Sequence, residues 1–268
     1  MKEVRLSSWN DLEAAVSSLF QDIDDKRTRS ETYVSYPLFR GHASASWTLS
    51  TTLERYSGKI WSANDYYEIL CAVKPTIESL TSQSWSLSET CDRDDSEIRA
   101  PLAPLGYELM VYLRHHGFPS PLLDWTRSPY VAAFFAYCSN ETNEDSEVAI
   151  YSYVEYYGAG KGGIGSKPRI VGLGPYVVAH RRHYSQQSEY TICEKHEAQQ
   201  YVYWNHEDVF AGGESEEDLI TKFVLPRNER INVMRKLEIM NITSYALFGN
   251  EESLMETLAY REIQGRGK

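Results

Sequence analysis

The run Tyr112-Leu113-Arg114-His115-His116-Gly117-Phe118-Pro119-Ser120-Pro121-Leu122-Leu123-Asp124-Trp125-Thr126-Arg127-Ser128-Pro129 spells out a helix end, a strand and a helix start in succession. A helical pattern from Leu105 ends at His116, and Gly117 is its stop, because glycine accepts the left-handed conformation that closes a helix. Pro119 and Pro121 force extended backbone into the apolar Leu122-Leu123-Asp124-Trp125. Ser128 can then cap a helix whose first position is Pro129, where the missing N–H costs nothing. Ala132, Ala133 and Ala136 give that helix a smooth face.

Upstream, Ser8 caps a helix whose Trp9, Leu12, Val16, Leu19 and Phe20 share one side, followed by a polar stretch from Asp22 to Glu31. Tyr33 to Phe39 reads as a strand ending at Arg40-Gly41, and Leu49 to Arg55 as a turn or short helix. Asn64 to Leu80 is helical in pattern, with Pro75 expected to end or kink it, and Ser82 to Pro101 is a loop. Downstream, Glu147 to Val154 alternates as a strand, and Gly158 to Gly174, with seven glycines, reads as a flexible loop or lid. Its run GAGKGG lacks the Gly-Lys-Ser/Thr ending of a phosphate loop and reads as a linker; Lys161 and Lys167 are its candidate ligand-facing charges. Further strands fall at Thr191, Tyr201 to Trp204 and Leu219 to Leu225, and helices at Asn228 to Met240 and Glu251 to Tyr260. Strands and helices do not alternate strictly. The pattern therefore predicts an α+β fold: a single domain with a mixed or antiparallel sheet flanked by helices. The expected layout is an N-terminal helix and linker over 1–32, a domain over 33–260 and a flexible tail over 261–268.

The 268 residues, 42% of them hydrophobic, can bury one sizeable core. A formal charge of −11 argues against broad, non-specific nucleic-acid binding. Arg181-Arg182-His183 is the most obvious basic cluster, and its plain reading is a solvated turn. Cys71, Cys91, Cys138 and Cys193 form no CxxC pair and read as reduced thiols. No metal is expected: His180 and His183 could join Cys193 or His196, but at no recognised spacing. No signal peptide or membrane span is apparent, so the expected location is cytoplasmic, with no membrane partner.

Two more stretches join the first: Leu38-Phe39-Arg40-Gly41-His42 with Trp47-Thr48-Leu49, and Arg182-His183-Tyr184-Ser185-Gln186-Gln187-Ser188-Glu189-Tyr190-Thr191. An arginine at a strand end can grip a phosphate bidentately, and the glycine after it allows close approach of a ligand. Together with Phe223-Val224-Leu225-Pro226 and Leu247-Phe248-Gly249, these stretches resemble the FRG-domain family, named for Phe-Arg-Gly. The chain departs from that family's pattern at Ser120, where Thr is usual, at Ser188, where Gly is expected, and at Gly249, where Pro is common.

The order Arg40, then Thr126-Arg127-Ser128 before a helix, then Gln187-Ser188-Glu189 also resembles ADP-ribosyltransferases. That resemblance implies an ADP-ribosyltransferase-like fold with NAD as substrate. It implies that Arg40 and Gly41 hold the diphosphate, that Thr126 and Ser128 prop the site, and that Glu189 stabilises the ribosyl cation. Gln187 would orient the acceptor. It further implies a bacterial toxin or phage-defence effector, with an antitoxin or regulatory partner and a protein or nucleic-acid acceptor. Gln186, Gln187 and Glu189 stay open as the catalytic residue of the third stretch, beside Asp124. Of the two histidines ending a helix, one suits the helix dipole and the other the site, which His116 fills. Plainer roles exist for each: Arg40 could pair with Asp124 to fix the fold, Asp124 could cap a turn, and Glu189 could be solvated. The competing functions are an NAD glycohydrolase with the same site, a non-catalytic nucleotide- or partner-binding module, and a metal-dependent nuclease or hydrolase using Asp124 with His115-His116.

Overall fold

The computed structural model describes all residues except 31–32, 88–102, 140–145, 159–160, 162–166, 176, 178–180, 211–216 and 265–268. In chain order its elements are β1 (Lys2–Arg5), α1 (Trp9–Arg29), β2 (Leu38–His42), α2 (Thr52–Ser57), α3 (Ala63–Thr81), α4 (Tyr107–His115), β3 (Leu123–Thr126), α5 (Pro129–Tyr137), β4 (Glu147–Glu155) and β5 (Arg169–Gly172). There follow α6 (Arg181–Ser185), β6 (Ser188–Glu197), β7 (Gln200–Tyr203), α7 (His206–Phe210), β8 (Asp218–Pro226), α8 (Arg230–Ile239), α9 (Ser244–Phe248) and α10 (Glu251–Ala259). The strands make one open sheet in the order β1-β8-β4-β2-β3-β6-β5, with β7 also on β6. Every pairing is antiparallel except β1 on β8. The fold is therefore α+β with a mixed sheet flanked by helices, as the pattern of elements predicts.

The central strand β4 is buried from Val148 to Val154, so both faces of the sheet must be covered. On one face α1, α5 and α8 pack Trp9, Ile23, Val131, Phe134 and Val233 against Phe39, Ile150 and Phe223. On the other, Leu38, Trp125, Tyr151 and Tyr153 meet Leu49 and Phe210. The 112–129 run folds as read. Gly117 takes φ +84°, β3 follows, and the Ser128 side chain accepts from the Val131 N–H with Pro129 in the first turn.

Several expectations change. The strand expected from Tyr33 begins only at Leu38, since Pro37 lacks an N–H to give to a ladder. The polar stretch from Asp22 continues α1 to Arg29: Ile23 extends its buried stripe, and Gln21 bonds Asp25 across one turn. Pro75 neither ends nor breaks α3. It lies on the exposed side with Cys71, so the carbonyl it leaves unbonded can reach water. The first 30 residues are more than a helix and linker: β1 is an edge strand and α1 is part of the core. The glycine-rich segment contains β5, paired with β6. Its Lys161 is buried, ion-paired with Glu155 and Asp218 at 2.9 and 2.7 Å, and is thus committed to the fold rather than to a ligand. Most of GAGKGG, the loop over 88–102, and 265–268 of the expected tail lie outside the described residues.

Gly41 shows why the second residue of Arg-Gly has no side chain. A Cβ there would sit 1.9 Å from the Ala132 carbonyl oxygen and 2.7 Å from the Ala136 nitrogen, both backbone atoms of α5. Gly41→Ala should therefore push β2 off α5 and cost about 2–3 kcal/mol, as overpacking does. Urea denaturation checks this, and an unchanged midpoint would refute it.

Candidate functional site

Strands β2 and β3 share a single register pair, Phe39 with Thr126, whereas β2 and β4 share five. Beyond that pair β2 and β3 part, and the sheet splits. Arg40 stands on one lip and Asp124 on the other. The Arg40 side chain reaches across: Nη1 donates to the Asp124 carbonyl at 2.7 Å and lies 3.9 Å from its carboxylate. Its Nε donates to His42 Nε2 at 3.0 Å. A side chain thus supplies part of what the missing ladder would have supplied.

Arg114, at the end of α4, forms an ion pair with the Asp124 carboxylate, so two guanidiniums flank one acid. The Arg114 Nε is buried with no hydrogen-bond partner, a donor left unmade in a site of high charge. Burial pushes the Arg40 pKa down to about 10, although Asp124 opposes the shift. Burial and the Arg40 charge push His42 down to about 3, which keeps it neutral and able to accept from Arg40.

Arg40, Arg114 and Asp124 line a cavity of about 350 Å³ in the split. Arg182 and Gln186 enter from α6 and its end, Ser188 and Tyr190 from β6, and Phe135 and Phe248 from α5 and α9. Three arginines and one carboxylate among the lining residues make a locally cationic cleft in a chain of formal charge −11. The basic cluster at Arg181-Arg182-His183 is therefore not only a solvated turn: Arg182 lines the cleft and bonds the Phe248 carbonyl, and His183 is buried.

The structure divides the candidate residues. Arg40, Gly41, Asp124, Thr126 and Gln186 all line the cavity. The Thr126 hydroxyl donates to the Gln186 carbonyl at 2.6 Å and accepts from the Ser128 N–H, while Ser128 caps α5; both hydroxyls brace the backbone under the cleft. Strand alternation sends Ser188 and Tyr190 into the cavity and Glu189 to the opposite face, where it pairs with Arg127. Gln187 is exposed in a left-handed turn, φ +48°, its carbonyl accepting from the Arg127 N–H. His116 is exposed and packs its ring, tilted, against Tyr112, with ring centroids 4.4 Å apart; its neighbour His115 is the one lining the cavity. Gln186 reaches the cleft, and its amide donates to the Leu247 carbonyl at 3.2 Å. Among the described residues no cluster of three or more His, Cys, Asp or Glu is placed to hold a metal ion. No helix there is long and apolar enough to cross a membrane. Sequence reasoning missed Arg114, Arg182, Tyr190, Phe135 and Phe248. Arg114 lies inside the decisive run, where a cation beside Asp124 could have been suspected; Arg182 stands in the basic cluster, and Tyr190 and Phe248 in the later stretches, but nothing local to them says that they face the cleft.

Residues 35–145 match the protein-family model described as FRG domain. That span supplies Arg40, Arg114, His115 and Asp124; the wall made by Arg182, Gln186, Tyr190 and Phe248 lies beyond it. No curated protein and no solved structure matches the chain.

Three histidines, His42, His115 and His206, are pushed by burial from 6.5 to about 3, 4 and 3. Unfolding raises each pKa, so below 6.5 the unfolded chain binds protons that the folded chain refuses. The stability they permit is whole above about 6.5 and is lost as pH falls toward the folded values, by up to about 1.4 kcal/mol per unit for each histidine. The melting temperature should fall steadily from pH 6.5 to 4, and a flat profile would refute this.

Proposed function

From the match of residues 35–145 to the FRG domain and the charge of the cleft, we propose that this chain is an NAD-dependent ADP-ribosyltransferase, passing ADP-ribose to a protein or nucleic-acid acceptor. The observation that carries the reading is the split in the sheet, where Arg40, Arg114 and Arg182 surround a lone carboxylate and Arg114 Nε still lacks a partner. Bidentate guanidiniums match the diphosphate of a dinucleotide, and a buried cationic site binds it more strongly than open water would allow. Trp47, Trp125, Phe135 and Phe248 offer ring faces for its planar groups.

In this reading the diphosphate competes with Asp124 for Arg40 and Arg114. The Asp124 carboxylate is then freed to face the ribose, where positive charge develops as the nicotinamide bond breaks. Asp124 thereby takes the role that the motif order assigned to Glu189, and Gln186 supplies the third stretch's contact. Water in place of the acceptor would make the same site a glycohydrolase. The effector role implied by the resemblance, a cytoplasmic toxin or phage-defence protein restrained by an antitoxin, belongs to this proposal. A second reading, a non-catalytic binding module, is favoured by the Glu189–Arg127 pair on the far face and by the Gln186 amide's bond to Leu247.

Incubation with NAD labelled in its adenylate, scored for nicotinamide release and label transfer, separates the readings. We expect release by the wild type. Arg114→Gln should raise KM about tenfold or more, since a charged hydrogen bond contributes roughly 1.5–3 kcal/mol. Asp124→Asn should lower kcat about a hundredfold or more. Arg40→Ala should lose activity and also lower the melting temperature, because the Asp124 carbonyl and His42 lose their donor. Saturable NAD binding without release leaves the binding module, and neither binding nor release sinks the proposal.

A further inference from the structure

Behind the cleft three side chains form a hydrogen-bonded row. His115 Nε2 lies 2.7 Å from the Tyr190 hydroxyl, and that hydroxyl lies 3.3 Å from His183 Nδ1. In one orientation of the row the Tyr190 hydroxyl donates to His183 Nδ1 and His115 Nε2 donates to the Tyr190 oxygen. In that tautomer the lone pair of His115 is on Nδ1. That atom makes no hydrogen bond among the described residues, and the His115 ring lines the cavity.

Resting on the NAD reading above, we propose that His115 is the general base of the transfer and that the acceptor it serves is a hydroxyl group. Asp124 is engaged elsewhere in that reading, its carboxylate facing the ribose where positive charge develops. A carboxylate acceptor needs no base, and a guanidinium acceptor would have to enter beside Arg40, Arg114 and Arg182. A hydroxyl is neutral and must lose a proton. In the step, an oxygen lone pair of the acceptor forms the bond to C1′ of the ribose. The C1′–N bond breaks with its electron pair going to the nicotinamide ring, which becomes neutral. The hydroxyl proton passes to His115 Nδ1. A weak base suffices, because an oxygen bonded to C1′ is strongly acidic until it loses that proton. The row then carries the charge away: His115 Nε2 gives its proton to Tyr190, and Tyr190 gives its own to His183. The groups facing the His115 ring are Arg114 on its own helix, Asp124 from β3, Arg182 and His183 from α6, and Tyr190 from β6. Burial, foremost, with the two arginines and His183, keeps the ring neutral, its pKa pushed down to about 4 although Asp124 opposes.

The test uses the full chain and three readouts. In the wild type, nitrogen-15 NMR of the histidine rings should show His115 protonated at Nε2; the Nδ1–H form would overturn the proposal whatever the enzyme's activity. His115→Gln, which keeps a donor for Tyr190, should lower kcat for nicotinamide release about a hundredfold or more with KM within threefold. Tyr190→Phe, which removes a positioning residue, should lower kcat less and move the acid limb of the pH–rate profile. With methanol as probe the wild type should form methyl ADP-ribose, and with agmatine, a guanidine, no adduct. Full activity in His115→Gln, or an agmatine adduct, would overturn the base or the acceptor class while leaving NAD cleavage intact. No nicotinamide release by the wild type would overturn the NAD reading and this inference together.

Discussion

The bond from Arg40 across the split to Asp124 is the interaction on which the rest of the site depends. A sheet normally closes its own ladder, and two neighbouring strands that part after one register pair leave backbone groups without partners. Here a buried guanidinium meets that need on one side and faces a cavity on the other. The cost of burying it shows in its lowered pKa and in the neutrality forced on His42 beside it. Because Arg40 holds the split open and lines it, structural and binding roles fall on the same side chain.

The layer beneath constrains the split from behind. Gly41 lets α5 approach β2 at backbone contact distance, and Ser128 fixes where α5 begins. Thr126 then links the start of α5 to the Gln186 carbonyl, which ties the third stretch to the first two. The cleft is thus assembled from three distant stretches through backbone contacts, so its lining can hold several like charges without collapsing. Arg114 and Asp124 partly neutralise one another, leaving a net positive pocket in an acidic protein, where a phosphate gains most from desolvated donors.

Local punctuation was the most legible layer. Gly117, the Pro119–Pro121 pair, Ser128 and Pro129 act within a few residues of themselves, so their reading survived folding intact. The α+β class followed from the mixture of periods. Where the reading slipped, tertiary contact outweighed local preference: α1 continued through polar residues because Ile23 found a buried place, and Pro75 was tolerated because it faced water. β1 was invisible, since four residues have no period of their own and need β8 to become a strand.

By itself the sequence singled out Arg40, Asp124 and one residue of the Gln186–Glu189 stretch as candidates for one cleft, because motifs record residue types in order, and Arg40, Asp124 and Gln186 line one cavity. It could not say which member of Gln186, Gln187 and Glu189 enters the cleft, nor whether His115 or His116 does. Those choices turn on which way a side chain points. Strand β6 begins at Ser188, after a left-handed turn at Gln187, and its pairing with β3 then fixes that Tyr190 faces the cavity while Glu189 faces Arg127. A slip of one residue would exchange the two faces. Register is a property of pairing between distant strands, so only the tertiary structure could decide it.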